Sequence, residues 1–373
     1  MTKKGRINLD SSQLPEDIIP QILKELPAKS LIRFKCVSRN WCSIIEDPHF
    51  VELHRQRSHH RPGGIYFLLH TKEDEYKISQ FDSKQISAPT PFKVPIPPNA
   101  DLTNPYLFQR QSIEGLICLH NVIWNPSTGK TLTLPRLEQS FVLDIDKPVY
   151  VTGFENLYFL GFDLSIRKHK VLRICRAKKL SIHNIYEFGE SSTGFLIKIY
   201  TLGTNSWREA SDSFPKELLK RNFVVKSSRS INSVIYCLVE GDFILAYELC
   251  NEKFQLMPLP YGASCTNYAS EVKECLALIN WEWTKIWILE DYESRKWNMV
   301  DLIFPIFWSV NYISTFQSRF VRHIGANQNG DILLLSTPQF SMSAGFQYVI
   351  SCLCYDMEKK RGEDIFIINP LAW

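Results

Sequence analysis

The sequence lacks the features that mark a secreted or membrane-spanning protein. No two of its ten cysteines are spaced as Cys-x-x-Cys, and Cys118 and Cys237 lie within apolar runs, as free thiols of a reduced compartment do. There is no Asn-x-Ser/Thr acceptor with x other than Pro and no apolar signal segment at the start. The most apolar window, residues 301–313, is interrupted by Pro305 and Asn311 and is too short to cross a bilayer. We therefore expect a protein of the nucleus, the cytoplasm or both, with no membrane partner.

A strong excess of one charge is also missing. The net charge is +4, and the excess of basic residues lies in residues 1–61, which hold 11 Lys/Arg against 7 Asp/Glu. A nucleic-acid-binding protein usually concentrates basic residues on one face. We interpret this thin excess as the solvated surface of helices and expect no nucleic-acid partner.

Motifs of catalysis and cofactor binding are absent as well. The sequence contains no GxSxG, no P-loop and no GxGxxG after an apolar strand. His54, His59 and His60 have no cysteine or carboxylate at ligand spacing, and Cys352 and Cys354 are best explained as two packed thiols on one strand face. We therefore expect a non-catalytic protein with no catalytic residue, no metal and no cofactor.

The chain changes its periodicity once, near residues 58–63. Residues 14–57 have helical periodicity, with Ile18, Ile22 and Leu26 four residues apart, and strand patterns begin after "RPGG" at 61–64. This predicts a flexible N-terminus over 1–12, a helical domain over 13–57, a linker over 58–63 and a β domain over 64–373.

The helical domain is predicted to contain three short helices. The first includes Pro20 in or just after its first turn and ends at Leu26-Pro27, the second covers "AKSLIRFKCVS", and the third covers "NWCSIIED" and ends before Pro48. About 45 residues bury too little surface to be stable alone. Either this domain packs on the rest of the chain, or its apolar stripe binds a partner.

The β domain repeats a hairpin with an aromatic or aliphatic residue before a polar turn. "NPSTGK" at 125–130 is one such turn, since it lacks the first glycine of a P-loop. The residues before the turns are Phe81, Trp124, Tyr200, Tyr247, Leu289 and Tyr355. Most of their spacings are close to 40–50 residues, which is typical of propeller blades. We expect an α+β multidomain chain with a propeller-like domain of six blades, or seven if residues 158–176 form their own; an irregular β-sandwich or two β domains is the alternative.

The first 54 residues contain a specific motif. "LPEDIIPQILKELPAKSLIRFKCVSRNWCSIIEDPHFVELH" at 14–54 resembles the F-box across its whole length, including Leu14-Pro15, Leu26-Pro27, the "CVSRNW" block and "DPHF". The remainder, with "VIWNPSTGKTLTLP" and "IYTLGTNSW", resembles the F-box-associated, kelch-related region of plant F-box proteins. It departs from kelch repeats because most copies lack a Gly-Gly at the end of the second strand.

This resemblance implies the substrate-recognition subunit of an SCF-type (Skp–cullin–F-box) ubiquitin ligase. The F-box would bind a Skp-family adaptor and through it the cullin and RING components, and the β domain would recruit an unknown protein for ubiquitination. The adaptor-binding candidates implied by the motif are Leu14, Pro15, Ile18, Ile22, Leu26, Pro27, Leu31, Val37 and Trp41. Phe34 and Ile45 are instead assigned to the core of the helical domain.

Two alternatives remain open at this stage. The protein could use an F-box for a non-degradative, regulatory role, or it could be a glycan-binding or enzymatic propeller capped by the helices. No residue is assigned to substrate binding, although residues 96–113, 136–148, 211–230 and 338–348 are candidate loops by length and polarity.

Overall fold

The computed structural model describes residues 18–59, 65–70, 76–82, 85–86, 90–92, 112–136, 150–180, 195–219, 223–264, 268–280, 285–302, 319–326, 332–338 and 350–368. The chain divides into two compact units. The helical unit comprises residues 1–63 with 125–130, and the β unit comprises residues 64–124 with 131–373.

The helical unit contains four described helices, one more than predicted. They are α1 (Ile18–Leu23), α2 (Ala28–Phe34), α3 (Arg39–Glu46) and α4 (Pro48–His59). The fourth helix is additional because Pro48 begins α4 as well as ending the region of α3. Asp47 Oδ1 accepts the backbone N–H groups of His49 and Phe50 at 2.8 and 3.1 Å, so Asp47 caps α4 and Pro48 occupies a first-turn position that needs no N–H donor.

Pro20 lies in the first turn of α1, as predicted. It is the third residue of the helix, where a missing backbone N–H has no intrahelical acceptor to lose. Its carbonyl still accepts a hydrogen bond from the backbone N–H of Lys24 at 3.0 Å. Pro27, in extended conformation, separates α1 from α2.

The described residues of the β unit form six four-stranded antiparallel sheets. The first sheet has β1 (Ile65–His70), β2 (Tyr76–Asp82), β3 (Gln85–Ile86) and β4 (Thr90–Phe92); the second has β5 (Ser112–Ile113), β6 (Leu116–Leu119), β7 (Val122–Trp124) and β8 (Thr131–Thr133); the third has β9 (Tyr150–Asp163), β10 (Lys168–Leu180), β11 (Phe195–Thr201) and β12 (Arg208–Glu209). The fourth has β13 (Val225–Ile231), β14 (Val234–Val239), β15 (Phe243–Glu248) and β16 (Lys253–Pro258); the fifth has β17 (Tyr268–Val272), β18 (Cys275–Ile279), β19 (Lys285–Asp291) and β20 (Lys296–Asp301); the sixth has β21 (Arg319–Ala326), β22 (Ile332–Pro338), β23 (Ile350–Asp356) and β24 (Arg361–Ile368). A short helix, α5 (Lys216–Leu219), lies between the third and fourth sheets in sequence.

Five of these sheets place their strands in chain order, and in the first sheet β4 pairs with β2 instead. The hairpins that join β5 to β6, β13 to β14 and β17 to β18 have two-residue turns in which both residues have positive φ. Such turns match the right-handed twist of the strands. Gly115, with φ 80°, supplies one of these positions at little conformational cost.

With six sheets in the described residues, the seven-blade alternative is wrong for that part of the chain. Residues 158–176 belong to the hairpin of β9 and β10, and β11 extends the same sheet through pairs such as Val171 with Tyr200. They are therefore half of the third sheet and not a separate blade. The candidate loop 211–230 was also partly wrong, because it contains α5 and most of β13.

From the second sheet to the sixth, successive sheets pack face to face. In the third sheet, Leu160 faces the second sheet and the neighbouring Phe159 faces the fourth, and both are buried. Apolar clusters likewise join the fourth sheet to the fifth and the fifth to the sixth. Strand β24 of the last sheet lies beside β3 of the first, so opposite ends of the β unit are neighbours. The six sheets confirm the predicted repeat of strand hairpins.

Candidate functional site

The helical unit has a closed apolar core of its own. Leu23, Leu31, Ile45 and Phe50 are at most 6% exposed, one from each helix. Five partly buried side chains pack around them: Ile19, Leu26, Phe34, Trp41 and Ile44. The core thus accounts for many of the apolar positions of the motif, and the remaining ones need another explanation.

Two isoleucines of α1 lie outside this core. Ile18 and Ile22 are 42% and 43% exposed, whereas Ile19 and Leu23, one position further along, pack inward. Residues four apart lie on one side of a helix, so Ile18 and Ile22 form an apolar pair exposed to solvent. This pair is the part of the sequence-predicted stripe that the fold leaves open.

Polar contacts fix the positions of α1, which carries this pair, and of the other helices of the unit. His54 Nε2 of α4 lies 2.8 Å from the carbonyl oxygen of Leu26, just after α1, and Arg57 forms an exposed 2.9 Å ion pair with Glu25. Lys35 donates a 3.0 Å hydrogen bond to Glu46, which lowers the pKa of that carboxyl. These contacts tie the end of α1 to α4, and the region after α2 to the end of α3.

The start of α3 is fixed by a second set of contacts. The Ser38 hydroxyl accepts the backbone N–H of Trp41 at 3.1 Å, which caps the helix. The Trp41 ring meets Phe34 edge-on at 5.5 Å between centroids. Trp41 is thereby positioned at the boundary between core and surface.

The structure divides the nine predicted adaptor-contact residues into groups. Ile18, Ile22, Pro27 and Val37 are exposed, Leu26 and Trp41 are partly buried, and Leu14 and Pro15 lie outside the described residues. Leu31 is only 5% exposed and belongs to the same buried cluster as Leu23, Ile45 and Phe50. Its place as an adaptor contact stays a prediction, and in this fold it also supports the unit from within.

The sequence reasoning missed two exposed apolar residues of α4. Val51 and Leu53 are 52% and 37% exposed, although Phe50 of the same helix is buried. The signal was the Asp47-Pro48 pair, which is typical of a helix start. In a helix that begins there, position 51 turns away from the buried side of Phe50, whereas Leu53, three residues after Phe50, lies on the same side and is only partly covered. They join Ile18, Ile22 and Val37 as candidate contact residues.

The β unit contains a buried cluster of charges between the third and fourth sheets. Lys170 Nζ donates to Asp163 Oδ2 at 2.7 Å, to Leu249 O at 2.8 Å and to Glu252 Oε1 at 3.1 Å. Arg208 binds the same Glu252 with both terminal nitrogens, and Ser211 Oγ donates to it at 3.2 Å. All three hydrogens of the Lys170 ammonium have acceptors, so this charge-neutral group has no unpaired member to offer a substrate.

The electrostatics of Asp163 follow from that geometry. Burial opposes its ionisation, but hydrogen bonds from Lys170, Ser165 and Cys250 outweigh the burial and lower its pKa to about 2. The pKa of Glu252 is lowered in the same way, with Arg208 and Lys170 overcoming the desolvation. We interpret the cluster as an ionic connection between two sheets.

Two further observations concern metal ions and membranes. Within the part of the chain that the structure describes, no group of three or more His, Cys, Asp or Glu side chains is arranged to hold a metal ion. None of the described helices has both the length and the apolar character required to span a bilayer.

Comparison with known proteins identifies both parts of the chain. The profile described as "F-box domain" matches residues 11–53, and the profile described as "F-box associated beta propeller domain" matches residues 39–367. F-box protein At5g65850 of Arabidopsis thaliana is 29% identical over 87% of this chain and 78% of its own length. F-box protein At1g47340 of the same plant is 25% identical over 88% of this chain and 71% of its own length.

Solved structures give weaker matches. Those described as "YCF48 bound to D1 peptide" and "Structure of U3-55K" align with TM-scores of 0.30 and 0.32 and identities of 10% and 6%, over 67% and 68% of this chain and 76% and 77% of those chains. Scores this low carry no argument. The two profile matches together extend over most of the sequence and identify the family. The chain belongs to the plant F-box proteins that carry an F-box-associated β-propeller domain.

Proposed function

We propose that this protein is the substrate-recognition subunit of an SCF-type ubiquitin ligase. Its F-box binds a Skp-family adaptor, which connects it to the cullin and RING components, and its β domain recruits a protein for ubiquitination. The protein itself performs no catalysis in this role. The proposal includes domain limits of 13–57 and 64–373 joined by a linker over 58–63, and a location in the nucleus, the cytoplasm or both.

One observation carries the proposal: the helical unit closes its core and still exposes Ile18 and Ile22 on one side of α1. Burying a full isoleucine side chain contributes about 1.5–3 kcal/mol. A partner that covers the exposed part of both residues would gain a substantial share of that free energy. Grooves that receive the apolar side of a helix recognise such pairs.

The test is capture of a purified Skp-family adaptor by the full-length protein and its variants. Ile18→Asp and Ile22→Asp place a charge in the proposed interface and, at exposed positions, should leave the fold intact. We expect each variant to lose at least 1.4 kcal/mol of binding free energy, or about tenfold in affinity. Gln21→Asp is the matched control because it adds the same charge to an exposed position of the same helix.

Adaptor binding that is unchanged in a folded Ile18→Asp/Ile22→Asp double variant would contradict the assignment of these contacts. Leu31→Asp is unsuitable for this purpose, since a charge at a 5% exposed core position would unfold the unit and abolish binding for a trivial reason. Thermal melting of every variant separates the two causes.

Recruitment for degradation requires a second measurement. Proteins captured by the full-length protein in cells with the proteasome inhibited should be ubiquitinated and should have longer half-lives than without the inhibitor. Captured partners whose half-lives do not change would favour a non-degradative, regulatory F-box protein.

A further inference from the structure

A buried arginine of the third sheet has no acidic partner among the residues that the structure describes. Arg173 of β10 is 2% exposed, and its side chain lies on the sheet face that packs against the second sheet. Directly across the strands on the same face stand Tyr158 on β9 and Lys198 on β11. Lys198 is paired with Glu209 at 2.9 Å, so that carboxylate is already engaged.

The guanidinium is only partly satisfied. Its Nε and Nη2 atoms both donate to the side-chain oxygen of Asn156, at 3.0 and 2.6 Å, and Nη1 is buried without a hydrogen-bond partner. The Asn156 amide is neutral and cannot balance a cation. Buried charges in proteins are nearly always paired, and an unpaired donor on a buried arginine is costly.

Arg173 lines a cavity of about 190 Å³ between the second and third sheets. Asn121 and residues 134–136 form one wall, and Tyr158, Arg173 and Trp207 form the other. Among the described residues that line it, the walls include a second cation, Arg136, and no aspartate or glutamate. The electrostatic field inside the cavity therefore favours an anion.

The walls of the cavity are held by contacts between the two sheets. Trp207 Nε1 donates to the carbonyl oxygen of Pro135 at 2.9 Å. The ring of Tyr158 packs against His120 with centroids 4.9 Å apart. Because these contacts exist before any ligand binds, little ordering is required on binding, which favours affinity.

We propose that this cavity binds a carboxylate carried by a peptide. A carboxylate oxygen can accept a charge-assisted hydrogen bond from the unpartnered Nη1 of Arg173, and its negative charge balances the guanidinium. Small-molecule pockets usually measure about 300–1,000 Å³, so a cavity of 190 Å³ suits one side chain or a chain terminus better than a cofactor. In assigning the ligand to a protein, the inference rests on the proposed function.

Saturation-transfer NMR on the full-length protein tests this site with three capped or free tripeptides. The probes are acetyl-Ala-Glu-Ala-amide, the neutral acetyl-Ala-Gln-Ala-amide, and acetyl-Ala-Ala-Ala with a free carboxyl terminus. We expect the glutamate peptide, the free-terminus peptide or both to bind about tenfold or more tightly than the glutamine peptide. Which of the two binds identifies a side chain or a terminus as the source of the carboxylate.

Arg173→Met should abolish that preference, and Lys168→Met, which removes an exposed positive charge from the same strand, should not. The melting temperature of Arg173→Met should equal or exceed that of the wild type, because the substitution removes an unpaired buried charge. A purely structural arginine would instead lower it. If the methionine variant does not fold, Arg173→Ala, in which added methylguanidinium should restore binding of the carboxylate peptide, replaces it.

Equal binding of the glutamate, free-terminus and glutamine peptides, undiminished binding by folded Arg173→Met, or binding of inorganic phosphate alone would overturn the inference. Adaptor capture is measured on the same samples. If peptide binding is absent while adaptor capture is intact, only the proposed carboxylate site is contradicted. If adaptor capture is absent while peptide binding is intact, only the proposed function is contradicted.

Discussion

Replacing Lys170 by methionine tests the charge cluster between the third and fourth sheets. The substitution keeps much of the side-chain volume and removes the one cation that contacts both Asp163 and Glu252. Asp163, at 1% exposure, is then left as a buried carboxylate without an ionic partner, while Glu252 keeps Arg208. The perturbation is therefore concentrated on one buried charge.

The expected magnitude follows from that geometry. Breaking a buried ion pair by removing one partner costs about 3–5 kcal/mol. In a domain of a few hundred residues, each kcal/mol lowers the melting temperature by about 2–4 °C. The β unit should thus melt on the order of 10 °C below the wild type at pH 7. The assay is thermal unfolding followed by circular dichroism in the β-sheet region.

The pH dependence supplies a second readout. The folded-state pKa of Asp163 is about 2, below its ordinary value of 3.8. The stability it contributes is therefore fully present above about pH 4 and is lost as the pH falls toward 2, and a shift of this size corresponds to about 2 kcal/mol. Without Lys170 the carboxyl protonates more easily, so the gap between wild type and variant should narrow between pH 7 and pH 3.

Two variants complete the test. Lys168→Met, at an exposed position of β10, removes an equal charge and should melt within about 2 °C of the wild type, as surface substitutions usually do. Asp163→Asn combined with Lys170→Met should recover part of the loss, since it removes the unpaired charge. A Lys170→Met protein that melts like the wild type at pH 7 would refute the reasoning.

Three other predictions concern separate parts of the molecule. Gly161→Ala should destabilise the β unit by about 1–3 kcal/mol in chemical denaturation, because its Cβ would overlap the side chain of Leu249 beside the neighbouring sheet. An unchanged denaturation midpoint would show that the two sheets can move apart to admit the methyl group without loss of stability. Asp47→Ala should weaken the start of α4 by about 1 kcal/mol, seen as faster hydrogen exchange at the amides of residues 49 and 50 relative to those of α2, and equal exchange would deny the cap. Burial raises the pKa of Cys118 to about 12, so at pH 8 iodoacetamide should modify the exposed Cys36 and spare Cys118 until the protein is denatured, as mass spectrometry can verify; early labelling of Cys118 would contradict its burial.

The repeat in the sequence predicted the β unit well because it reports a layer of the structure. Trp124, Tyr200, Tyr247, Leu289 and Tyr355 are at most 4% exposed. Each lies at or near the end of the third strand of its sheet, before the turn to the fourth. Phe81 falls in β2 of the first sheet, with its side chain outside the described residues. Each sheet needs one such residue at the same place in its packing against a neighbour, so these residues recur once per sheet along the sequence.

Other strands gave no comparable signal. Strand β13, "VKSSRSI", was included in a candidate loop because its central residues are polar. It forms a strand because β14 pairs with it and because Val225 and Ile231, near its ends, are buried in two different clusters. Such a strand depends on its neighbours more than on its own hydrophobic pattern, so a reading of local periodicity does not detect it.

In the helical unit the sequence predicted which residues are apolar but not how the fold shares them. Leu31 and Ile22 are both aliphatic members of the same stripe, yet one is 5% and the other 43% exposed. The difference depends on how the four helices pack around Leu23 and Phe50, which helical spacing alone does not specify. The sequence also did not predict the role of Arg173, because an arginine within a strand does not reveal that its side chain will be buried beside a cavity without an acidic partner among the described residues.

The placement of β24 beside β3 has a consequence for how the protein is made. The two strands are separated by more than 270 residues of chain, so the last sheet must be synthesised before the first gains its neighbour. At about 5–20 residues per second, the earlier sheets wait on the order of ten seconds or more with apolar faces and strand edges accessible to water. Contacts between such distant segments also slow folding itself. We therefore expect newly made chains to depend on chaperones until residue 368 has left the ribosome, and premature stop codons late in the coding sequence to yield aggregation-prone protein rather than a smaller working domain.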